Sequence, residues 1–275
     1  MMTTDTTKYL DRGAGRIAYD VTGDGPLVVA VPGMGDLRSA YRHLAPALVE
    51  AGFRVATMDL RGHGDSDPSF TAYDDPGVAS DITALIAHLG GPALVVGNSM
   101  GAAAAAIAAA ENPLLVSGLV LIGPFVRDVP APVWQRLMFR AMMGGPWARL
   151  AWLAYYPAFF PTRKDGDYAE HRTAIGAAMA RPGYGRAFRA ITHVSHAPAE
   201  AALSRVSTDV LVVMGSKDPD FPDQQAEAEM IADRLAGRVV MIPGAGHYPQ
   251  SEFPELTTPV VLEFARMVSA GRTDA

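Results

Sequence analysis

The sequence predicts an α/β fold, in which a mostly parallel sheet is covered by helices on both faces and a helical cap is inserted between two core strands. Short aliphatic runs predict strands at residues 16–21, 27–31, 53–58, 93–96, 119–122, 210–214 and 239–242. Apolar residues at helical spacing predict helices at residues 40–51, 78–89, 101–111, 224–235 and 259–269. Strands that alternate with helices are typical of a parallel sheet buried on both faces.

The stretch from residue 125 to residue 205 interrupts this alternation. It contains no convincing strand pattern, and helical stripes begin instead at Trp134, Trp147 and Tyr168. All three tryptophans of the chain lie in this stretch. We therefore predict a core formed by residues 1–124 and 206–275, with residues 125–205 as a cap or lid.

Composition narrows the class of protein. The chain has 275 residues, 49% of them hydrophobic and 19% charged, which is enough apolar material for a large core. Its net charge of −6 gives no general attraction to nucleic acid. It has no cysteine, so disulfides and thiolate metal sites are excluded. With no signal-peptide pattern and no apolar run long enough to span a bilayer, we expect a cytoplasmic protein.

Ser99 lies where a strand pattern changes directly into a helix pattern, in the pentapeptide GNSMG. A strand that turns straight into a helix leaves no room for side chains two residues before and after the turn. Gly97 and Gly101 remove those side chains, which exposes the serine hydroxyl. We interpret Ser99 as a nucleophile rather than as an ordinary turn residue.

A hydroxyl nucleophile needs a base and a group that orients the base. His247 follows the last predicted strand in a loop of small residues, and Asp218 follows the strand at 210–214. Both positions face the edge of the sheet at which Ser99 is expected. Asp220 and Asp223 compete with Asp218 for the role of the acid. The chain order of serine, acid and histidine matches a known catalytic architecture.

An oxyanion hole is expected from two backbone amides. The amide of Met100 lies at the start of the helix that follows Ser99, and Pro32-Gly33-Met34-Gly35 follows the strand at 27–31. We expect the amide of Met34 to be the second donor, with Gly33 as the alternative.

These motifs together resemble the α/β-hydrolase superfamily, and the resemblance covers nearly the whole chain. It rests on VPGMG, DLRGHGDSD, GNSMG, GSKDPDFP and GAGHYPQSEFPE. The resemblance implies the α/β-hydrolase fold, and it also implies a structural loop at residues 59–67. In that loop the matching residues are Asp59, Gly62, Gly64 and Ser66, so Arg61 and His63 are not assigned to catalysis.

The resemblance also leaves alternatives open. Some relatives take the acid from the strand after the nucleophile helix, for which Asp128 is the candidate here, although GSKDPDFP favours Asp218. Many relatives have His-Gly where this chain has Pro32-Gly33, so its oxyanion loop is a variant. Enzymes of the superfamily with an aspartate nucleophile, the epoxide hydrolases and haloalkane dehalogenases, are disfavoured by Ser99.

Cap residues are expected to shape the substrate pocket. Trp134, Trp152 and Tyr155, together with Gly33, are the candidates for substrate contacts, and they favour an apolar acyl or alcohol group. No metal or cofactor is expected, because His193 and His196 show no neighbouring carboxylates in the sequence. The cap carries an excess of basic residues, which we interpret as a solvated face.

The sequence therefore predicts a serine hydrolase that cleaves a carboxylic ester or lactone with an apolar group through an acyl-enzyme. Carbon–carbon bond hydrolysis and perhydrolysis, as in cofactor-free haloperoxidases, are alternatives within the same fold. A ligand-sensing protein with this fold and little turnover is an alternative of another class. The oligomeric state is left open.

Overall fold

An eight-stranded sheet organises the chain in this computed structural model, which describes residues 7–130, 132–164 and 166–271, with only the backbone at Arg136. The ends of the predicted core, residues 1–6 and 272–275, lie outside the described residues. The strands are β1 (Lys8–Asp11), β2 (Arg16–Thr22), β3 (Leu27–Val31), β4 (Arg54–Met58), β5 (Ala93–Asn98), β6 (Val116–Ile122), β7 (Val210–Gly215) and β8 (Arg238–Ile242).

The strands run in the order β1-β2-β4-β3-β5-β6-β7-β8. At one edge β2 pairs antiparallel with both β1 and β4, and the five pairs from β4–β3 to β7–β8 are parallel. This is the mostly parallel sheet that the sequence predicts. Because parallel strands end at the same edge of a sheet, the segments that follow β3, β5, β7 and β8 come together there.

Eleven α-helices are formed by the described residues. They are α1 (Leu44–Glu50), α2 (Asp75–Leu89), α3 (Met100–Glu111), α4 (Val133–Gly144), α5 (Ala148–Tyr155), α6 (Tyr168–Met179), α7 (Tyr184–Ile191), α8 (Ala197–Ala202), α9 (Gln224–Leu235), α10 (Pro249–Glu252) and α11 (Pro254–Ala270). Short 3₁₀ helices occupy Arg38–Tyr41, Tyr156–Phe159 and Leu203–Arg205.

Both faces of the sheet are buried. Alternate residues of each strand point to opposite sides, so Val95 packs with α2, α3 and α9, whereas Val96 packs with α1 and α11. The central strands can therefore be continuously aliphatic, as β3 is with five buried residues. This confirms the predicted doubly covered sheet.

All seven predicted strands are present, and β1 is an additional one. β1 escapes the sequence pattern because it is a short edge strand in which only Leu10 is buried. The helix predicted at 40–51 begins at Leu44, since residues 38–41 form a 3₁₀ turn instead.

The segment between β6 and β7 forms five α-helices, α4 to α8, joined by loops and 3₁₀ turns, and its described residues include no strand. It packs in two parts. α7, α8 and the 3₁₀ turn after α8 contribute Ala187, Ala199 and Leu203 to the same core as α2 and α3. The 3₁₀ helix Tyr156–Phe159 and its neighbours form a separate aromatic cluster around Trp152. α7 also contributes Phe188 to this aromatic cluster.

Among the described helices, none has the combination of length and apolar character that crossing a bilayer requires.

Candidate active site

Ser99 lies in a strained turn between β5 and α3. Its φ of 55° and ψ of −120° are unusual for a residue with a side chain, and such backbone costs about 1–3 kcal/mol. A Cβ on Gly97 would lie 2.5 Å from the carbonyl oxygen of Gly101, and one on Gly101 would lie 2.6 Å from that of Pro32. The predicted steric reason, a lack of room within the turn, is confirmed for Gly97, whereas Gly101 is limited by the end of β3. Ser99 itself is partly exposed, whereas Asn98 and Met100 are buried.

His247 and Asp218 form a buried pair at the same edge of the sheet. The imidazole Nδ1 of His247 lies 2.7 Å from Oδ2 of Asp218, and both side chains are nearly inaccessible to solvent. Asp218 follows β7 directly, and His247 lies in the loop after β8, where Gly123 leaves room for the pair. A Cβ on Gly123 would lie 3.1 Å from His247 Nδ1 and 3.2 Å from Asp218 Oδ2.

The other candidate acids occupy different positions. Asp220 lies close to the pair, with its Oδ2 3.6 Å from His247 Nδ1, and its backbone amide donates a hydrogen bond to Asp218. Asp223 instead caps the N-terminus of α9 through a 3.0 Å hydrogen bond from the amide of Ala226. Asp128 accepts hydrogen bonds from the Ser195 hydroxyl and the His196 amide. Asp218 is thus the acid that the structure pairs with His247.

The charges around His247 favour its protonated form. Burial lowers its pKa, but the negative charge of Asp218, the hydrogen bond to it and the charge of Asp220 outweigh burial and raise the pKa of His247 to about 9. Burial raises the pKa of Asp220 to about 6, against the opposing effect of His247. Burial and the neighbouring charge of Asp220 together raise the pKa of Tyr155, whose hydroxyl donates a 3.4 Å hydrogen bond to Asp220.

Cap residues hold the backbone of the histidine loop. The amide of His247 donates a 3.1 Å hydrogen bond to the carbonyl oxygen of Phe159, and the two rings lie 5.1 Å apart. Glu252 connects the same loop to the cap, because its carboxylate accepts hydrogen bonds from the amides of Gly246 (2.6 Å) and Thr162 (2.8 Å). The position of the imidazole therefore depends on residues of both the core and the cap.

Asn98, which is not among the site residues predicted from the sequence, connects the serine turn to the histidine loop. Its side-chain amide donates hydrogen bonds to the carbonyl oxygens of Ile122 (3.0 Å) and His247 (3.2 Å). It occupies the variable position of the glycine–serine motif, so the motif does not indicate it. The contacts show that it fixes the ends of β5 and β6 and the backbone of the histidine.

The loop after β3 lies against Ser99. A Cβ on Gly33 would be 2.7 Å from the Cβ of Ser99, so only glycine allows this approach. Within residues 7–130, 132–164 and 166–271, the backbone amides of Met34 and Met100 donate no hydrogen bond to another protein group. Amides near Ser99 that lack an acceptor are the groups an oxyanion hole requires.

Gly35 is held from both sides in this loop. Its amide donates a 3.0 Å hydrogen bond to Nε2 of His63, and its carbonyl oxygen accepts a 2.9 Å hydrogen bond from the indole of Trp152. The acceptor role of Nε2 places the proton of the neutral imidazole on Nδ1, which donates to the carbonyl oxygen of Arg61. Burial lowers the pKa of His63 to about 4, which keeps it neutral.

A buried carboxylate fixes the next residue of the loop. Asp36 accepts hydrogen bonds from the amide of Leu37 (2.7 Å), the hydroxyl of Tyr156 (3.0 Å) and the Nε2 of His171 (2.7 Å). Burial raises its pKa, but the charge and hydrogen bond of His171 outweigh that effect and lower it. Tyr156 and His171 belong to the cap segment, so this loop, like the histidine loop, is attached to it.

Residues 59–67 form the structural loop that the resemblance implies. Asp59 is buried and accepts hydrogen bonds from the Arg38 side chain and the amide of Asp65. The hydroxyl of Ser66 donates to the carbonyl oxygen of Asp59 and accepts from the amide of Ala18. Because His63 accepts the hydrogen bond from the Gly35 amide, this loop supports the loop after β3 from the side of the core.

The candidate substrate residues of the cap occupy three different environments. Tyr155 is partly exposed and contacts Asp220 beside the histidine. Trp152 is buried, and its indole is directed at Gly35. Trp134 is 62% exposed on the outer side of α4, so the structure does not bring it to Ser99.

The expectation that His193 and His196 lack nearby carboxylates is wrong for His196. Its Nδ1 lies 2.8 Å from the buried carboxylate of Asp75, and Asp128 accepts a hydrogen bond from its amide. Both acids are distant in sequence, which is why the local pattern did not reveal them. The other close grouping of possible metal ligands, Asp218, Asp220 and His247, is accounted for by the hydrogen bonds described above.

Known proteins are similar to this chain over most of its length. The chain is 28% identical over 274 residues to 2-(acetamidomethylene)succinate hydrolase of Mesorhizobium japonicum, covering 91% of this chain and 92% of the relative. It is 26% identical over 317 residues to epoxide hydrolase A of Mycobacterium tuberculosis, covering 94% and 97%.

A bromoperoxidase from Bacillus anthracis has the same fold. Its crystal structure superposes with a TM-score of 0.82 at 21% identity, covering 94% of this chain and 99% of that one. The model of the alpha/beta hydrolase family matches residues 28–259, a span that includes Ser99, Asp218 and His247. With the sheet order, the serine turn and these relatives in agreement, the chain belongs to the alpha/beta hydrolase family.

Proposed function

We propose that this protein is a serine hydrolase that cleaves a carboxylic ester or lactone with an apolar group. The observation that carries the proposal is the serine turn beside a buried His247–Asp218 pair, with Ser99 partly exposed at a φ of 55°. A strained, accessible hydroxyl next to a histidine that an acid orients is the arrangement that nucleophilic catalysis requires.

In the proposed reaction the hydroxyl of Ser99 attacks the substrate carbonyl while Nε2 of His247 accepts its proton. Asp218 holds the proton on Nδ1 and stabilises the imidazolium that forms. The amides of Met34 and Met100 stabilise the oxyanion, and each such donor contributes about 2.7–4 kcal/mol. His247 then returns the proton to the leaving alcohol, which leaves an acyl-enzyme. Water, activated by the same histidine, hydrolyses it.

The raised pKa of His247 has a consequence for this mechanism. The imidazole can act as a base only when it is neutral, and its pKa is about 9 in the free protein. Activity should therefore rise with pH through the neutral and weakly alkaline range. The same negative charges that raise this pKa stabilise the imidazolium once Ser99 has given up its proton.

Two features support an ester or lactone as the substrate: the serine nucleophile and the apolar surroundings of the site. The three relatives named above are a hydrolase of an acetamidomethylene acid, an epoxide hydrolase and a bromoperoxidase, so membership of the family leaves the reaction open. Aromatic side chains of Phe125, Phe159 and Tyr248 surround His247. These favour an uncharged acyl or alcohol group near the reacting carbonyl.

Labelling with a fluorophosphonate tests the nucleophile. We expect one adduct on Ser99, identified by mass spectrometry of the digested protein, and parallel loss of hydrolysis of short-chain esters. The Ser99→Ala variant should show neither labelling nor activity, whereas Ser207→Ala, which changes an exposed serine outside the site, should behave as the wild type. Full esterase activity in Ser99→Ala would exclude the proposal.

Two further measurements separate the alternatives. Substrate profiling with esters, lactones, β-diketones and peracid formation distinguishes ester cleavage from carbon–carbon cleavage and perhydrolysis. Multiple rapid turnovers on an ester favour the enzyme, and a ligand-induced change of the cap without turnover favours the sensor.

A further inference from the structure

One side of α4 and α5 exposes large apolar side chains. Each is more than half exposed, from 54% for Trp147 to 67% for Leu150, and no part of the described structure covers them. We refer to this set as the α4–α5 surface; it consists of Val133, Trp134, Leu137, Met138, Trp147 and Leu150.

These side chains lie on two helices that are in contact with each other. The indole of Trp147 donates a 3.2 Å hydrogen bond to the carbonyl oxygen of Ala141, which joins the start of α5 to the end of α4. Ala141 lies one helical turn from Leu137, and Leu150 lies about one turn from Trp147.

The cap does not need this surface for its own packing. The opposite side of α4 already contributes Phe139, Met142 and the fully buried Met143 to the aromatic cluster around Trp152. α4 is therefore apolar on two sides, and only one of them packs against the rest of the described structure. The stripe that begins at Trp134, which the sequence places in a packed cap, faces outward.

The charge of the surrounding segment indicates what covers the surface. Between Asp128 and Asp165 the chain has five Arg and Lys residues and no Asp or Glu, in a protein whose net charge is −6. Arg140 is exposed on α4, one turn from Leu137, and Arg149 is exposed on α5 next to Leu150. Along α4 and α5 the apolar side chains thus alternate with arginine and with no acidic residue.

We propose that the α4–α5 surface docks the protein on the surface of an anionic lipid bilayer. Tryptophan and leucine side chains on one face with arginine beside them are suited to the boundary between acyl chains and anionic head groups. A second copy of the chain fits less well, because a two-fold interface through this surface would bring the two basic segments together. The proposal does not depend on the catalytic role of Ser99.

Sedimentation with lipid vesicles tests the proposal with the full chain. We expect binding to vesicles of phosphatidylcholine and phosphatidylglycerol in equal parts, and little binding to phosphatidylcholine alone. Charge reversal by Arg140→Glu should weaken binding about tenfold or more. The double variant Leu137→Ser/Leu150→Ser should also weaken it strongly, whereas Leu114→Ser, which changes an 89% exposed leucine outside the surface, should not.

Three results would overturn the docking proposal: no binding to the mixed vesicles, equal binding to both kinds of vesicle, or a dimer in sedimentation equilibrium that Leu137→Ser/Leu150→Ser dissociates. Thermal unfolding followed by circular dichroism shows whether each variant is folded. The Ser99→Ala variant should bind vesicles as the wild type does, so a failure of the proposed catalysis and a failure of the proposed docking are distinguishable.

Discussion

The carboxylate of Asp220 lies 3.6 Å from the imidazole Nδ1 of His247, which already has Asp218 as its hydrogen-bond partner. The histidine therefore faces two acids rather than one. The hydroxyl of Tyr155 donates a hydrogen bond to Oδ1 of Asp220. Asp220 therefore also connects the helical segment between β6 and β7 to the histidine.

Neutralising Asp220 should shift the pH dependence of catalysis. Asp220 raises the pKa of His247, so Asp220→Asn should lower it, and the histidine should become neutral at lower pH. We expect the rising limb of kcat/KM against pH to move to lower pH by at least about one unit. Asp24→Asn, which neutralises an exposed acid outside the site, serves as the control. If the rising limb of kcat/KM lies at the same pH in Asp220→Asn and Asp24→Asn, Asp220 does not raise the pKa of His247.

Asn98 should be a positioning residue for His247. Asn98→Ala removes the donor to two buried carbonyl oxygens, at a cost of about 1–3 kcal/mol in unfolding free energy. Because the histidine backbone loses one of its attachments, we expect kcat to fall about tenfold, which corresponds to about 1.4 kcal/mol, with KM little changed. Asn112→Ala changes the other asparagine of the chain, at the end of α3, and provides the comparison. If the two variants lose activity equally, the loss is not specific to the Asn98 contacts.

The elements that the sequence predicted are those whose pattern is local. β3 is aliphatic throughout and β5 is aliphatic from Ala93 to Val96 because both of their faces are buried, and Gly97 reflects a steric limit within five residues. Contacts between distant residues leave no such pattern. Asp36 and His171 are separated by 135 positions, and neither has neighbours that indicate the other.

Within the segment between β6 and β7, the sequence predicts the helices but not which of their sides pack against the protein. A helical stripe shows that α4 is a helix, but it does not show which side of the helix faces the protein. Because apolar residues occur on two sides, the stripe of Trp134 was expected to pack, and instead Met143 is buried. Likewise, Trp152 is predicted to contact the substrate, whereas its indole donates a hydrogen bond to the backbone oxygen of Gly35.

Trp152→Phe should loosen the oxyanion loop while it preserves most of the aromatic packing. The change removes the indole donor to Gly35, whose neighbour Met34 is the proposed oxyanion donor. Loss of an oxyanion donor typically costs about 10²–10³ in kcat, so a displaced donor should cost about tenfold, with KM less affected. Trp147→Phe removes the same kind of hydrogen bond, from an indole to the carbonyl oxygen of Ala141, at an exposed position. An equal fall of kcat in both variants would argue against a specific role for Trp152.

His63 should make the protein less stable in weak acid. Its pKa is about 4 in the folded chain and about 6.5 when unfolded, so the unfolded state binds more protons between these values. The stability that this histidine contributes is fully present above about pH 6.5 and declines as the pH falls towards about 4. From about pH 7 to about pH 5, we expect the unfolding free energy to fall by about 2 kcal/mol through His63 alone. Urea unfolding of the wild type and of His63→Gln at both pH values measures this.

The variant should be less stable at neutral pH, because the amide of Gly35 loses its acceptor or binds a less well-placed one. Its unfolding free energy should fall by about 2 kcal/mol less than that of the wild type over the same pH range. Equal pH dependence in the two proteins would show that the titration of His63 does not contribute to stability.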